Sequence, residues 1–174
     1  MISSFVDRLK KYPDFRDLIV HHEIIPARQA KYGELLPPPH PLLNSLIEQK
    51  GWSPLYTHQA EAIRLIRQGH HVICSTPTAS GKTLIYNLPV LESILKDPKT
   101  HALYMFPLKA LEQDQRDELE EITPFLPKLE GGLVTIYDGD TPSYHRQKIK
   151  QTPPRIVLTN PDMLHFGILP YHGQ

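Results

Sequence analysis

Hydrophobic residues recur along the chain with two spacings, one typical of amphipathic helices and one typical of buried strands. Residues 57–68, THQAEAIRLIRQ, place Ala62, Ile63 and Ile66 at helical spacing, and Gly69 follows as a helix-ending glycine. Similar patterns predict further helices near 3–11, 42–50, 82–96, 109–122 and 142–150, and a short helix beginning at Asn160-Pro161. Short apolar runs predict four strands, at 70–76, 101–106, 132–137 and 155–159.

Strands that alternate with helices of this length predict an α/β fold, in which helices cover both faces of a parallel sheet. Ligands of such sheets bind at the carboxyl ends of the strands. The first fifty residues differ, because their predicted helices flank a proline-rich stretch, LLPPPHP, that is typical of a rigid extended linker. We therefore predict two parts, a helical and proline-rich extension at 1–50 and an α/β domain at 51–174.

Composition and charge narrow the function classes without identifying one. Basic and acidic residues number 19 each, so the chain has no overall positive charge with which to hold nucleic acid. Any contact with nucleic acid must then use local groups such as loop amides and helix N-termini. Cys74 is the single cysteine, which excludes a disulfide or a four-cysteine zinc site within the chain. The sequence has no apolar run of about 18 residues and no signal-peptide pattern, so we expect a cytoplasmic protein without a membrane span.

The strongest chemical signal is the segment TPTASGKT, residues 76–83, between a predicted strand and a predicted helix. It matches the phosphate-binding pattern G-x-x-x-x-G-K-[ST] except at its first position, where Thr76 replaces glycine. Successive backbone N–H groups and a helix N-terminus form an anion site there. Lys82 is expected to reach the β- and γ-phosphates of ATP, and Thr83 to offer its hydroxyl to Mg²⁺. The predicted loop residues are Thr78, Ala79, Ser80, Gly81, Lys82 and Thr83.

The same segment resembles motif I of superfamily 2 helicases, and other segments of that superfamily follow in the expected order. LYTHQAEAI, residues 55–63, resembles the Q motif, which implies that the Gln59 carboxamide pairs with adenine and that Tyr56 stacks on or flanks the base. FPLKALEQDQ, YDGDTP and LTNPDML resemble the motifs that face nucleic acid. Residues expected to contact the nucleic-acid backbone are therefore Pro107, Lys109, Ala110, Gly139, Asp140, Thr141, Thr159 and Asn160. Within this set, Gly139 is expected to permit a tight turn, and Thr141 and Thr159 or Asn160 to cap helices.

Longer segments narrow the resemblance to one branch of the superfamily. HHEIIPARQAKYGEL and TASGKTLIYNLPVLESIL are similar to MrfA/YprA-type DEAD/DEAH-box helicases, and the similarity spans roughly residues 20 to 174. It implies an incomplete first RecA-like P-loop domain with ATP and Mg²⁺ as cofactors. It also implies a DNA translocase of 3′-to-5′ polarity, linked to DNA repair and acting on single strands or 3′-tailed duplexes.

One expected motif is missing from the chain. No Asp-Glu-x-His or Asp-Glu-x-Asp tetrad occurs, so the carboxylates that hold Mg²⁺ and polarise the attacking water are not supplied by these residues. We expect the chain to correspond to the part of the domain before this motif and to hydrolyse ATP negligibly by itself. A parallel sheet without its next strand exposes an edge or an apolar face, which makes self-association a further hypothesis.

Three other functions remain open on the residues alone. An RNA-directed DExH helicase has the same motif order. A non-catalytic nucleotide-binding module is favoured by the missing tetrad. A small-molecule kinase uses the same phosphate loop, but it needs an arginine-rich lid that is not visible in the sequence.

Overall fold

The computed structural model describes residues 2–27 and 29–171, which divide into two compact units, residues 1–30 and 31–174. The first unit contains helix α1 (Ile2–Leu9) and the short helix α2 (Pro13–Arg16). Its remaining described residues lack regular structure, although Lys10 Nζ lies 2.8 Å from His22 Nδ1 and so ties the segment after α2 back to the end of α1.

The second unit alternates helices and strands as predicted. Its helices are α3 (Pro41–Gln49), α4 (Thr57–Arg67), α5 (Lys82–Lys96), α6 (Lys109–Ile122), α7 (Ser143–Gln151) and α8 (Pro161–Met163). Its strands are β1 (Ala102–Met105), β2 (Val134–Ile136) and β3 (Ile156–Thr159). Short 3₁₀ turns follow at Thr123–Phe125 and Leu169–Tyr171, and a π-helical turn lies between α8 and the last of them, at Leu164–Ile168. The helices predicted at 82–96 and 109–122 coincide with α5 and α6.

The three strands form one parallel sheet in the order β1-β3-β2. Strand β3 lies in the centre, where Leu158 is in register with Tyr104 of β1 and with Ile136 of β2. Helix α6 packs against β2 and β3. The predicted parallel sheet with crossover helices is therefore confirmed, and all three strands end at the same edge.

The strand predicted at 70–76 is wrong. These residues belong to no strand, and the side chain of Ile73 is 99% exposed. A strand is stable only when its N–H and C=O groups pair with a neighbouring strand, and no described strand pairs with this segment. The apolar pattern of residues 70–76 is typical of a strand, but the pattern of one segment cannot show whether a neighbouring strand is there to pair with it.

The hydrophobic core belongs to the second unit and extends upstream of the predicted domain start. Leu43 and Leu46 of α3 are fully buried with residues of α5, α6 and β3 in a single cluster. The compact unit therefore begins at Lys31 rather than near residue 51. The proline-rich pattern groups α3 with the N-terminal extension, but in the structure the leucine face of α3 packs on α5.

One face of β1 is buried and the other is open. Tyr104 points into the core, where its hydroxyl donates to Asn87 Oδ1 at 2.9 Å, whereas Leu103 and Met105 are 49% and 52% exposed. Strand β1 is also an edge strand, since β3 is the one described strand with which it pairs. Separately, no helix among the described residues is long and apolar enough to cross a membrane.

Candidate nucleotide site and nucleic-acid groove

The loop before α5 has the backbone shape of an anion-binding turn. Gly81 is the N-cap of α5 and has φ of +72°, and Ala79 has φ of +56°. A residue with a Cβ rarely adopts such angles, so Ala79 is a strained position in the loop. Thr78 lies exposed at the tip of the same turn. The first amides of α5, at Lys82 and Thr83, follow directly, and the amides at a helix start point out of the helix with no intrahelical acceptor.

Lys82 is held over this loop by the loop itself. Its Nζ donates to the backbone oxygens of Thr76 at 2.9 Å and Pro77 at 2.8 Å, and it lies 3.4 Å from Ser80 Oγ. The hydroxyls of Thr76 and Ser80 are 2.6 Å apart, which closes the turn. The ammonium of Lys82 is thus positioned beside the start of α5. Phosphate oxygens would take the place of the loop oxygens that now accept its hydrogen bonds. This donor set fits a polyphosphate.

Gln59 is buried and links the predicted Q motif to the phosphate loop. Its Oε1 accepts from the backbone N–H of Tyr56 at 2.8 Å, and its Nε2 donates to the backbone oxygen of Gly81 at 2.9 Å. Both ends of the carboxamide therefore have protein partners. The expected bidentate pairing with adenine would require one of these bonds to be shared or exchanged. The adenine role of Gln59 remains a prediction, and its observed role is to hold the loop against α4.

An aromatic row lies beside this contact. Tyr56 stacks on Tyr32 at 5.5 Å and on His58 at 5.7 Å, with small angles between the rings. His58 Nε2 in turn lies 2.9 Å from the backbone oxygen of Ser80. The row therefore reaches from the segment before α3 to the phosphate loop. Tyr56 is part-exposed, as a ring that flanks a base must be.

Thr83 is the one predicted Mg²⁺ ligand. It is half-buried in the first turn of α5, one turn before Tyr86. The described residues contain no group of three or more His, Cys, Asp or Glu side chains arranged to hold a metal ion. Thr83 fits a Mg²⁺ ion held mainly by nucleotide phosphates and water, which is the usual coordination of this ion.

Four of the predicted nucleic-acid residues meet at the carboxyl edge of the sheet. Pro107, Lys109, Gly139 and Asn160 line one groove of about 560 Å³. They come from the loops after β1, β2 and β3, which end at the same edge because the sheet is parallel. Ala110, Asp140 and Thr141 line an adjoining depression together with Lys109. Most of the predicted set is therefore brought together.

The charge of Lys109 is already paired within the protein. Its Nζ forms a close ion pair with Asp140 and lies 3.9 Å from Asp138. The hydrogen bond to Asp140 raises the pKa of Lys109 above its usual value, with smaller contributions from the charges of Asp140, Asp138 and Glu112. Lys109 thus remains cationic, and a phosphate must compete with a carboxylate for it.

Two predicted threonines do not face the groove. Thr159 is fully buried, and its hydroxyl donates to the backbone oxygen of Tyr137 at 2.7 Å, so it fastens β3 to the end of β2. Its predicted contact with nucleic acid is wrong for this arrangement. Thr141 does not cap α7, whose N-cap is Pro142, because its hydroxyl bonds Asp138 Oδ1 and the Asp138 N–H, both at 2.9 Å.

Asn160 is the residue that caps the helix after β3. Its Oδ1 accepts from the Met163 N–H at 2.9 Å, and its Nδ2 donates to Glu112 Oε1 at 3.1 Å. Glu112 is fully buried, and its second oxygen has no hydrogen-bond partner among the residues that the structure describes. The amide of Asn160 is therefore fixed in one orientation at the groove.

Comparison with known proteins identifies the family to which this fold and these motifs belong. The DEAD/DEAH box helicase family matches residues 56–172. The chain belongs to the DEAD/DEAH box helicase family. It is 40% identical over 173 residues to the ATP-dependent helicase HRQ1 of Saccharomyces cerevisiae, covering 99% of this chain and 16% of that protein. It is 46% identical over 156 residues to an uncharacterized ATP-dependent helicase, YprA, of Bacillus subtilis, covering 88% of this chain and 20% of that protein.

A crystal structure of the DUF1998 helicase MrfA bound to DNA and AMPPNP is similar in fold, with a TM-score of 0.79 and 41% identity. The similarity covers 91% of this chain and 22% of MrfA, so the chain spans about a fifth of these helicases or less. The predicted RecA-like class and the MrfA/YprA-type resemblance are both confirmed.

Three residues that shape the groove were not predicted from the sequence. Arg146 of α7 donates to the backbone oxygens of Thr141 at 2.8 Å, Asp138 at 2.9 Å and Gly139 at 3.1 Å. The guanidinium of Arg146 therefore fixes the backbone of the loop after β2. Glu112 orients Asn160, as described above. The only sequence signal for Arg146 was its place in the first turns of a helix directly after the YDGDTP segment.

The third contributor is Phe166, which lines the groove from the π-helical turn and is 72% exposed. Gly139 lies in a tight turn, as predicted, because the Thr141 N–H donates to the Asp138 backbone oxygen at 3.3 Å across Gly139 and Asp140. The φ of Gly139 is not positive, and an added Cβ would meet nothing within 4 Å. Because Gly139 has no side chain, the groove stays open beside Lys109.

We expect Gly81→Ala to weaken both the fold and nucleotide binding. An alanine at this positive φ costs about 1–2 kcal/mol, and its Cβ would also collide with Gln59 Nε2 and break the contact that holds the loop. Thermal melting and titration with a fluorescent ATP analogue measure the two effects.

Variants at two other glycines separate the effect of backbone strain from the effect of losing the Gln59 contact. Gly69 has φ of +83° with nothing within 4 Å of an added Cβ, so Gly69→Ala should lower the melting temperature without affecting nucleotide affinity. Gly139→Ala should change stability by less than about 0.5 kcal/mol. Equal nucleotide affinity in the Gly81 and Gly69 variants would contradict the proposed role of the Gln59 contact.

Proposed function

We propose that this chain forms the ATP-binding and nucleic-acid-contacting face of an ATP-dependent DNA helicase or translocase. The observation that carries the proposal is the presence of both sites in one unit, with Lys82 at the start of α5 and Lys109 at the start of α6. The similarity to MrfA, which was crystallised with DNA and AMPPNP, supports DNA as the polymer. We further propose 3′-to-5′ movement and a role in DNA repair, which rest on the family resemblance, and a cytoplasmic location, where ATP and nucleic acid are both available.

The nucleotide half of the proposal rests on the loop of residues 76–83. Lys82 supplies a fixed cation, Gly81 allows the close approach of backbone, and Thr83 offers a hydroxyl to Mg²⁺. The aromatic row of Tyr32, Tyr56 and His58 provides a flat surface for the base beside this loop. When bound, Mg²⁺ would neutralise phosphate charge, and the chain's own residues would orient the phosphates.

We expect the chain to bind ATP and to hydrolyse it negligibly. Lys82→Ala should weaken the affinity for a fluorescent ATP analogue about tenfold or more, because a hydrogen bond to a charged group contributes about 1.5–3 kcal/mol. Phosphate release by the purified chain should stay at background, since no Asp-Glu-x-His or Asp-Glu-x-Asp tetrad is present. Lys96→Ala, at the far end of α5, is the control. Turnover that depends on Lys82 would refute the hydrolysis proposal.

The nucleic-acid half of the proposal rests on the groove at the sheet edge. Lys109 provides charge, the fixed Asn160 amide provides a polar contact, and exposed Phe166 provides a ring on which a base can stack. Backbone contacts of this kind position a strand without reading its sequence. Because Asp140 competes for Lys109, we expect moderate affinity with a clear dependence on salt.

We expect single-stranded DNA to bind more tightly than RNA of the same sequence and length. Lys109→Ala should weaken binding of both and lower the slope of log affinity against log salt by about one. Asp140→Asn should strengthen binding, because it leaves Lys109 free for phosphate. Fluorescence anisotropy at several salt concentrations measures all three, with Lys96→Ala as the control lysine. RNA binding equal to or tighter than DNA binding would favour an RNA-directed helicase instead.

A second candidate function is a nucleotide-binding module without catalysis. The missing tetrad is the observation that favours it for this chain. Such a module would bind ATP through Lys82 but would not bind nucleic acid in the groove. Wild-type affinity for ATP combined with no measurable binding of either oligonucleotide would identify it.

We also propose that the chain self-associates through the open side of β1. This strand has a free edge, and Leu103 and Met105 expose an apolar face beside it. Light scattering should show species larger than a monomer, and replacing both residues with serine should shift the population towards monomer. Leu42→Ser, which removes an exposed leucine on α3, should not. A wild-type chain that is monomeric at all concentrations tested would rule this out.

A further inference from the structure

Helices α5 and α6 each begin at one of the two candidate sites. Helix α5 begins at Lys82 in the phosphate loop, and α6 begins at Lys109 in the groove. A side-chain contact joins the two helices: the phenol of Tyr86 donates to Gln115 Oε1 at 2.8 Å. Neither residue belongs to the phosphate loop or lines the groove, so neither proposed binding site explains this contact.

Tyr86 is connected to the phosphate loop through its own helix. It lies on α5 one turn after Thr83, and residues three apart are neighbours on a helix surface. The ring is fixed edge-to-face against Tyr104 at 5.1 Å.

Gln115 is connected to the groove through its own helix. Its Oε1 accepts from Tyr86 and its Nε2 donates to Glu118 Oε2 at 3.1 Å, so the amide has one orientation. One turn towards the N-terminus of α6 lies buried Glu112, which accepts from Asn160 at the groove at 3.1 Å. A further turn towards the N-terminus lies Lys109. Each of these residues is three positions from the next, so each is the neighbour of the next on the surface of α6.

We propose that Tyr86 and Gln115 are positioning residues that couple occupancy of the phosphate loop to the geometry of the nucleic-acid groove. The link runs along α5 from the phosphate loop to Tyr86, across the hydrogen bond to Gln115 on α6, and along α6 through Glu112 to Asn160. A ligand that shifts the start of α5 shifts the Tyr86 hydroxyl and therefore the bond to Gln115. The inference deepens the proposed function and rests on it, since it requires that the chain bind both a nucleotide and nucleic acid.

The test is a thermodynamic cycle on the full 174-residue chain. The affinity for a fluorescent ATP analogue with Mg²⁺ is measured with and without saturating single-stranded DNA, and the ratio of the two affinities is the coupling factor. Coupling is reciprocal, so the affinity for DNA must change by the same factor when nucleotide is added. We expect a factor of about five or more in the wild-type chain, which is the lower end of typical couplings.

Tyr86→Phe keeps the ring against Tyr104 and removes only the hydroxyl. It should reduce the coupling factor to about one while changing the affinity for nucleotide alone by less than about threefold. Gln115→Ala should do the same, and the double variant should lose no more coupling than either single variant, because all three break one contact. Gln113→Ala is the matched control, since Gln113 lies on the same helix but bonds Asp117.

A merely structural role predicts a different result. Loss of packing would lower the melting temperature and weaken both ligands alike, leaving the coupling factor unchanged. Full coupling in Tyr86→Phe, or a wild-type chain that binds both ligands independently, would overturn this inference and leave the proposed function standing. Failure of the wild-type chain to bind one of the two ligands would instead overturn the proposed function, and the inference with it.

Discussion

Strand β3 pairs in parallel with β1 on one side and β2 on the other, and this pairing is the constraint on which the groove depends. Because all three strands run in the same direction, the loops after Met105, Ile136 and Thr159 emerge at one edge. Residues far apart in sequence, such as Lys109 and Asn160, then line the same groove. Buried Thr159 strengthens the constraint, since its hydroxyl fastens β3 to the backbone at the end of β2.

The groove is organised by internal contacts more than by positive charge. Lys109 is paired with Asp140, the loop after β2 is held by Arg146 and Asp138, and Asn160 is held by buried Glu112. A chain with zero net charge cannot rely on long-range attraction to a polyanion. The geometry of the groove is therefore set by contacts within the chain.

The shape of the phosphate loop is fixed by different contacts. The segment before it pairs with no described strand, yet the loop keeps a defined shape. Side chains provide it: Gln59 and His58 contact the loop backbone from α4, and Lys82 contacts it from α5. The packing of α4 on α5 therefore fixes the position of this loop. The loops of the groove are fixed instead by the pairing of the strands that precede them.

The sequence by itself determined the helices, the parallel class of the sheet, the phosphate loop and the helicase family, because these depend on local spacing and on short motifs. It also predicted motifs at the strand ends, and the residues Pro107, Lys109, Gly139 and Asn160 of these motifs line one groove, because parallel strands end at one edge of the sheet. Their contact with nucleic acid remains a prediction. Only the tertiary structure decided that residues 70–76 pair with no described strand, that Thr159 is buried, and that Asp140 forms an ion pair with Lys109. It alone showed the bond between Tyr86 and Gln115. Each of these findings depends on which residues far apart in the chain come together, and the spacing of residues within one segment carries no information about the distance to another segment.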